Sequence, residues 1–280
     1  DVVVGCAAVT NVRPCDFVVG SFCASCGECE ICQAGHPSRC QRAIEAGEAY
    51  VRGAQAEYLR VPFADGTLVA TPSKPDPELI PDLLAASDVL GTGWFAADAA
   101  GAAAGKTIAV VGDGAVGLGA VIGAAQLGAG RVIAMSRHEA RAKLAREFGA
   151  TDVVAERGEE GAAKVKELTG GYGAHGTAEA VGTEQAMQQA LASTRYGGYV
   201  GFVGVPHGGT ISVDQLFGKE VHLFGGPAPV RRYLPQLIKL IFERKIHPGK
   251  VFDLVLSIEQ AAEGYAAMDQ RRATKVMLTF

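Results

Sequence analysis

Positive charge, aromatic side chains and long apolar runs are all scarce in this sequence of 280 residues. Lys and Arg number 26 against 30 Asp and Glu, and they form no basic stripe, so a nucleic-acid partner is not expected. The longest apolar stretch, residues 107–129, is interrupted by Gly and Asp, which favours a buried strand and helix over a membrane span. No positively charged start precedes an apolar signal core, and we therefore expect a cytoplasmic protein with no membrane partner.

Cysteine is absent after residue 40, whereas seven cysteines lie before that point. Four of them, Cys26, Cys29, Cys32 and Cys40, follow the spacing C-x2-C-x2-C-x7-C. This spacing suits a closed tetrahedral zinc site that stabilises a loop and leaves no position for water or substrate. Disulfides are the alternative, but a large chain with an odd cysteine count is not typical of disulfide-rich secreted domains. We predict structural zinc with Cys23 as the spare thiol, although Cys23 and Cys26 also have C-x2-C spacing.

The pattern of strand-like and helical runs changes along the chain. Residues 1–72 contain short β-rich runs, such as FVVGSF and AEYLRVPF, between Gly, Pro and Cys turns, and predict an irregular all-β domain. The stretch TPSKPDPELIP then indicates the approach to a boundary, because proline interrupts helices and central strands. From Lys106 onward, strand-like and helical runs alternate, which predicts βαβ units and a parallel sheet. Two further helices and the strands VFDLVLS and KVMLTF complete the chain.

A glycine-rich turn lies between the first strand-like run and the first helix of the alternating region. Gly112, Gly114 and Gly117 form G-x-G-x-x-G within VVGDGAVG, and Ala115 and Val116 open the helix. In a dinucleotide-binding fold the first glycine permits the tight turn, the second lets the backbone approach the pyrophosphate, and the third allows close helix packing. A turn that serves packing alone is the alternative, but the surrounding βαβ pattern favours a dinucleotide site.

The end of the second strand of this region bears on the choice of cofactor. Enzymes that use NAD place an Asp or Glu there, about 20 residues after the glycines, against the ribose 2′-OH. This sequence instead has Ser136, Arg137 and His138, with Ser136 19 residues after Gly117. A guanidinium can bind a 2′-phosphate with paired donors, and His138 can add a hydrogen bond. We therefore expect NADP in preference to NAD, the alternative being a solvated arginine on a loop.

Five segments together resemble the zinc-dependent alcohol dehydrogenases of the medium-chain dehydrogenase/reductase superfamily. They are CGECEICQAGHPSRC, GAQAEYLRVPFAD, SDVLGTGWFAA, IAVVGDGAVGLGAV and REFGATDVV, and the resemblance covers essentially the whole chain. It implies an α/β protein in which a Rossmann doubly wound parallel sheet accompanies a partial GroES-like β domain to which the C-terminus returns. The corresponding ranges are 1–85 for the partial catalytic domain, 86–228 for the Rossmann domain and 229–280 for the returning segment. The family's structural-zinc cysteines match the four named above.

The resemblance also implies residues of the active site. Asp88, in SDVLGTG, matches the third ligand of the family's catalytic zinc, and Thr92 matches a threonine beside the nicotinamide. Lys275 matches a basic position used against the pyrophosphate. The other two zinc ligands would lie upstream of Asp1, so the resemblance implies that this sequence starts partway through the β domain. Cys15 departs from the family pattern, which has glycine in that turn.

Two functions follow from these features, and a third is weaker. The first is an NADP-dependent, zinc-containing alcohol dehydrogenase that transfers hydride between an alcohol and an aldehyde or ketone. The second is a non-catalytic NADP-binding fragment that lacks the first two ligands of a catalytic zinc. The third, a quinone reductase of the same superfamily, is disfavoured by the four-cysteine loop. The resemblance further implies a small-molecule substrate and a homo-oligomer, a dimer or tetramer, with the strand EVHLFGG at the subunit boundary.

Overall fold

A computed structural model describes residues 9–280 of the chain, which divides into two compact units. The first unit comprises Asp1–Gly91 together with Pro229–Phe280, and the second comprises Thr92–Ala228. Cys6 and the first eight residues of the family-like stretch DVVVGCAAVTNVRPCDFVVG lie outside the described residues. Within residues 9–280, no helix is both long and apolar enough to cross a membrane.

The amino-terminal part of the first unit consists of short elements. In chain order they are β1 (Val18–Gly20), α1 (Glu30–Gln33), α2 (Gln41–Glu45), α3 (Ala64–Thr67), β2 (Leu68–Ala70) and α4 (Ile80–Ala86). The two strands form an antiparallel pair with Val18 opposite Ala70 and Gly20 opposite Leu68. The proline-rich stretch therefore does not stay irregular throughout, because its last residues begin α4 with proline in the first turn, where no N–H is needed.

The prediction of an irregular all-β domain is wrong for residues 9–72, where two short strands accompany three short helices. The run AEYLRVPF is not a strand. It ends at Phe63, whose left-handed φ of 49° turns the chain into α3. Gly66 in α3 then lies against the cysteine loop, since a Cβ on Gly66 would stand 2.0 Å from the carbonyl oxygen of Ser25. The segment packs on that loop instead of pairing in a sheet.

The second unit is a doubly wound α/β domain, as the alternation of runs predicts. Its elements are α5 (Val89–Ala99), which starts just before the unit boundary, and then β3 (Thr107–Val111), α6 (Ala115–Gln126), β4 (Arg131–Met135), α7 (Glu139–Glu147), β5 (Asp152–Val154), α8 (Gly158–Leu168), β6 (Ala174–Glu179), α9 (Glu184–Ser193), β7 (Thr194–Phe202), α10 (Val213–Lys219) and β8 (His222–Gly225). The six strands lie parallel in the order β5-β4-β3-β6-β7-β8. The strand order reverses between β3 and β6, and such a switch point creates a crevice at the carboxyl ends of the strands.

Small residues let the helices of the second unit approach the backbone closely. A Cβ on Gly93 in α5 would stand 2.3 Å from the carbonyl oxygen of Val116 in α6. Buried aliphatic side chains of the strands, such as Val111 and Ile133, form a continuous core with side chains of the helices, such as Leu191 in α9. The low aromatic content is consistent with this packing, since Ala and Gly contacts replace large rings.

The carboxyl-terminal part of the chain belongs to the first unit. It contains α11 (Val230–Phe242), β9 (Phe252–Ser257), α12 (Ala261–Asp269) and β10 (Lys275–Thr279), and β9 and β10 pair in parallel. The strongly amphipathic α11 buries one apolar stripe that includes Leu234, Leu237 and Ile241. The buried carboxylate of Asp82 in α4 accepts the N–H of Gly249 at 2.6 Å, which joins the two parts of this unit.

Candidate functional site

The four cysteines of the C-x2-C-x2-C-x7-C pattern converge in the first unit. Cys29 precedes α1, Cys32 lies within it, and Cys40 precedes α2. The Sγ atoms of these three residues and Cys26 all lie within 4.8 Å of one another. Among residues 9–280, this is the only group of three or more His, Cys, Asp or Glu side chains arranged to hold a metal ion.

Two distances between sulfur atoms test zinc against a disulfide. Cys29 Sγ lies 3.5 Å from Cys32 Sγ and 3.9 Å from Cys40 Sγ. Tetrahedral coordination with Zn–S bonds of about 2.3 Å places the sulfur atoms about 3.8 Å apart, whereas a disulfide bond is about 2.05 Å long. All six described cysteines are free. The four thiols therefore fit a four-thiolate zinc site.

The electrostatics of the loop also favour a bound cation. The N–H of Cys26 lies 3.3 Å from Cys40 Sγ, and the N–H of Cys29 lies 3.3 Å from Cys26 Sγ. Hydrogen bonds, chiefly with the backbone at Cys32, lower the pKa of Cys29 to about 6, whereas burial raises the pKa of Cys32. The thiols do not all ionise unaided, and a divalent cation would hold all four as thiolates.

The other described cysteines, Cys15 and Cys23, lie outside this cluster. Cys23 is buried, and burial raises its pKa to about 11, so it is a neutral thiol at pH 7. Cys15 is exposed and has a left-handed φ of 72°. Glycine adopts this conformation without steric cost, which gives a physical reason for the glycine that the family pattern has in this turn.

The glycine-rich turn of the second unit joins β3 to α6 at the switch point of the sheet. Gly112 has a φ of 112°, and a Cβ on Gly117 would stand 1.9 Å from the Gly112 carbonyl oxygen, so strand and helix meet backbone to backbone. Gly114 precedes α6, whose first residues are Ala115 and Val116. A Cβ on Gly114 would meet nothing within 4 Å. The turn thus leaves open space at a helix N-terminus, where unpaired N–H groups suit a pyrophosphate.

An ion pair that the sequence analysis missed lies at the end of β4. Ser136 is 4% exposed, and its hydroxyl donates to Asp113 Oδ2 at 2.8 Å. Arg141 on α7 donates to Asp113 Oδ1 at 3.2 Å. Asp113 occupies a position of the glycine motif at which any residue is allowed, so the pattern contains no signal for it. Position 136 itself is not acidic, but Asp113 in the glycine turn places a carboxylate beside it at the end of β4.

Arg137 and His138 follow Ser136 at the same edge of the sheet. Arg137 is exposed and makes no hydrogen bond or ion pair within the described residues. His138 is partly buried and precedes α7 without forming a side-chain cap. The structure therefore places one unpaired guanidinium one residue beyond Ser136.

Glu179, at the end of β6, is a second acidic side chain that the sequence analysis did not single out. It is fully buried, and its Oε1 accepts the N–H groups of Val181 at 2.8 Å and Gly182 at 2.7 Å. Val181 in turn lies against Gly112, where a Cβ would stand 2.9 Å from Val181 Cγ2. Glu179 thus holds the loop after β6 against the glycine turn, although its Oε2 is buried without a hydrogen-bond partner in the described part of the chain.

The residues implied by the family resemblance lie on separate elements. Asp88 lies between α4 and α5 in the first unit and is partly buried. It belongs to no group of three or more metal-ligating side chains within residues 9–280, so the described residues do not by themselves form a catalytic zinc site. Thr92 is buried in α5 as the first residue of the second unit. Lys275 is the first residue of β10, opposite Phe252 in the first unit.

His175 and His222 are the two histidines within the strands of the Rossmann sheet. His175 lies in β6, and its Nδ1 accepts the backbone N–H of Thr107 at 3.1 Å. Burial, with further contributions from Arg195 and Lys106, lowers its pKa below the usual value. The neutral imidazole therefore has a structural role between β6 and the start of β3.

Known proteins resemble this chain along almost its whole length. The model of a family described as "Zinc-binding dehydrogenase" matches residues 115–243. The "Zinc-type alcohol dehydrogenase B" of Aspergillus flavus is 33% identical over 97% of this chain and 64% of its own length. The "Probable zinc-binding alcohol dehydrogenase" of Mycobacterium tuberculosis is 35% identical over 94% of this chain and 67% of its own length. The solved structure of the alcohol dehydrogenase TADH from Thermus sp. ATN1 is 30% identical in sequence and has a TM-score of 0.84. Its alignment covers 96% of this chain and 80% of the TADH chain.

This chain spans about two thirds of the length of these two curated relatives. Because the matches cover almost all of it, they include both the four-cysteine loop and the glycine turn. The fold agrees with the expected one, a parallel Rossmann sheet in one unit and an antiparallel strand pair in the other. The chain therefore belongs to the zinc-type alcohol dehydrogenases of the medium-chain dehydrogenase/reductase superfamily, a family of oxidoreductases.

Proposed function

We propose that this chain forms the cofactor-binding core of an NADP(H)-dependent oxidoreductase that acts on a small alcohol, aldehyde or ketone. The observation that carries the proposal is the open space at Gly114 together with the unpaired Arg137 at the end of the neighbouring strand. When bound, the nicotinamide cofactor supplies the hydride acceptor or donor. The protein's part is to bind and orient this cofactor.

Each end of the cofactor has a proposed set of residues. The N-terminus of α6 at Gly114 binds the pyrophosphate, because its N–H groups and helix dipole favour an anion. Arg137 binds the 2′-phosphate with paired donors, and Ser136 and His138 are the neighbouring polar groups. Thr92 is proposed beside the nicotinamide on the strength of the family resemblance. Lys275 stays a prediction from that resemblance.

Zinc has one proposed role that the described residues support. The four thiolates of Cys26, Cys29, Cys32 and Cys40 hold structural zinc, which stabilises the loop that they form. A reducing compartment keeps such thiols free of disulfide bonds, and we therefore also propose a cytoplasmic location. No step of the reaction is assigned to a zinc at Asp88, because the described residues supply no ligand cluster there.

That last observation favours a second candidate function, a non-catalytic NADP-binding protein. Zinc content per chain by elemental analysis separates the two candidates. About one zinc per chain, with NADPH binding and no oxidation of a panel of aliphatic, aromatic and sugar alcohols, would support the non-catalytic protein. About two zincs per chain with NADP-dependent alcohol oxidation would support the oxidoreductase.

The test of cofactor choice is the change Arg137→Ala. Loss of a charge-assisted paired contact of about 1.5–3 kcal/mol should weaken NADPH binding about 10- to 150-fold. NADH binding should change less than about threefold, because NADH has no 2′-phosphate for the guanidinium to bind. Both dissociation constants can be measured by fluorescence titration of the reduced cofactors.

A matched control keeps this test specific. Arg146→Ala removes another exposed arginine near the far end of α7 and should leave both affinities unchanged. An equal loss for both cofactors in Arg137→Ala would contradict the assignment of NADP. So would weaker binding of NADPH than of NADH by the unaltered chain.

A homo-oligomer is the proposed assembly. β8 is the last strand of the six-stranded order, and Phe224 in it is 49% exposed. Val213 and Phe217 on the preceding α10 are 77% and 86% exposed. An edge strand beside exposed apolar side chains is suited to pairing with a second copy. Light scattering after gel filtration should give the mass of two or four chains, and the mass of one chain would contradict the proposal.

A further inference from the structure

A negative charge lies within hydrogen-bonding distance of the residue that we assign to the 2′ position of the cofactor. Asp113 accepts the hydroxyl of Ser136 at 2.8 Å and the guanidinium of Arg141 at 3.2 Å. The side chains of Asp113 and Arg141 are only 14% and 16% exposed, so water screens their charges weakly. This arrangement is built into the site, since the N–H of Ser136 is itself bonded to the carbonyl of Val154 in β5 at 2.9 Å.

The carboxylate affects the two cofactors in opposite ways. A 2′-phosphate held by Arg137 would be close to the like charge of Asp113, which disfavours binding. In addition, Ser136 has a single hydroxyl proton and donates it to Asp113, so it cannot donate to the phosphate at the same time. A 2′-OH has neither problem, because it is neutral and can donate to an oxygen of Ser136 or Asp113.

Arg141 opposes this effect. Its guanidinium contacts the second carboxylate oxygen and so offsets the charge that a phosphate would meet. We propose that Asp113 is a specificity-determining residue and that the Asp113–Arg141 ion pair sets the preference of this chain between NADP(H) and NAD(H). Asp113 favours NAD(H), and Arg141 restores acceptance of NADP(H). The inference rests on the proposed function, in which the 2′ position of the cofactor lies at the end of β4.

The experiment measures the ratio of the NADPH and NADH dissociation constants in four variants of the 280-residue chain. Asp113→Asn keeps the shape of the side chain and removes its charge, and should shift the ratio about tenfold towards NADPH. Arg141→Gln leaves Asp113 uncompensated and should shift the ratio about tenfold towards NADH. Arg141→Lys keeps the charge and should stay near the unaltered chain. The double variant Asp113→Asn/Arg141→Gln should also return close to it, because both charges are gone.

Stability is measured in parallel, because removal of one partner of a largely buried ion pair can destabilise the fold. Thermal unfolding of each variant identifies any loss of folded protein. If Arg141→Gln unfolds, the double variant can still be tested, because it leaves no unpaired charge. A purely structural ion pair would lower the melting temperature without moving the ratio. That result would overturn the inference, as would a shift of Asp113→Asn towards NADH.

The outcome for Arg137→Ala separates this inference from the proposed function. If Arg137→Ala selectively weakens NADPH but Asp113→Asn leaves the ratio unchanged, the inference about Asp113 fails and the proposed function stands. If Arg137→Ala weakens both cofactors equally, the proposed phosphate ligand is wrong. A shift of the ratio in Asp113→Asn would then still support Asp113 as a determinant of specificity, acting on a phosphate bound by another residue.

Discussion

Alanine in place of Gly117 should destabilise the second unit, whereas alanine in place of Gly114 should weaken cofactor binding with little effect on stability. The two glycines belong to one motif but face different surroundings. A Cβ at 117 would stand 1.9 Å from the Gly112 carbonyl oxygen, and real Cβ atoms essentially never come within 3.0 Å of such an atom. A Cβ at 114 would meet nothing within 4 Å.

The expected magnitudes follow from these distances. In Gly117→Ala, strand and helix must separate by about 1 Å, and overpacking of this kind costs about 1–3 kcal/mol. For a unit of this size the melting temperature should fall by about 4–12 °C. In Gly114→Ala, the poorer helix cap and the stiffer unfolded chain nearly cancel, so the shift should be below about 2 °C. NADPH affinity should nevertheless fall about tenfold or more, because the methyl group fills the approach of the pyrophosphate.

The assay can use the chain's single tryptophan. Trp94 is 1% exposed in α5 of the second unit, so its fluorescence reports unfolding of that unit. Gly218→Ala is the matched control, because Gly218 lies in α10 with open space around it and should lose neither stability nor affinity. Unchanged melting of Gly117→Ala would refute the backbone contact. If Gly114→Ala binds NADPH as tightly as the unaltered chain does, the cofactor does not approach the backbone at Gly114.

Two further predictions concern the zinc loop and pH. Cys29→Ser should remove one zinc per chain and increase proteolysis of residues 23–40, because the metal contributes folding energy there. The control variant Cys15→Ser should keep the zinc content of the unaltered chain, because Cys15 lies outside the cluster. Equal zinc content in both variants would show that the cysteines are misassigned. Folding lowers the pKa of His175, so the stability that its neutral form contributes is complete above the unfolded pKa of about 6.5 and is lost as pH falls below it. The loss of stability should be about 1 kcal/mol or less, which is the value of the hydrogen bond from Thr107. Between pH 7 and pH 5, the melting temperature of His175→Asn should fall less than that of the unaltered chain, because the amide oxygen of asparagine does not titrate. An identical fall in both proteins would contradict this role of His175.

Features with short-range spacing could be predicted from the sequence. The four cysteines lie within fifteen positions, so their convergence depends on local turns, and the structure brings their sulfur atoms within 4.8 Å. The alternation of strand-like and helical runs predicted the doubly wound sheet, because right-handed βαβ connections leave few other arrangements. Residues 9–72 do not follow their local pattern. Their β-rich runs do not form an all-β domain, since Phe63 and Gly66 direct the chain onto the cysteine loop.

Contacts between residues far apart in sequence were decided by the tertiary structure. Position 136 is serine, so the local pattern predicts no acidic group at the end of the second strand. Asp113 reaches that place from 23 residues earlier because β3 and β4 are parallel neighbours whose carboxyl ends meet at one edge. Glu179 approaches the same edge through β6, the other neighbour of β3. Local spacing thus determined the four-cysteine loop and the fold class, whereas strand order determined which charges surround the proposed cofactor site, because pairing in a sheet brings together residues that no local pattern connects.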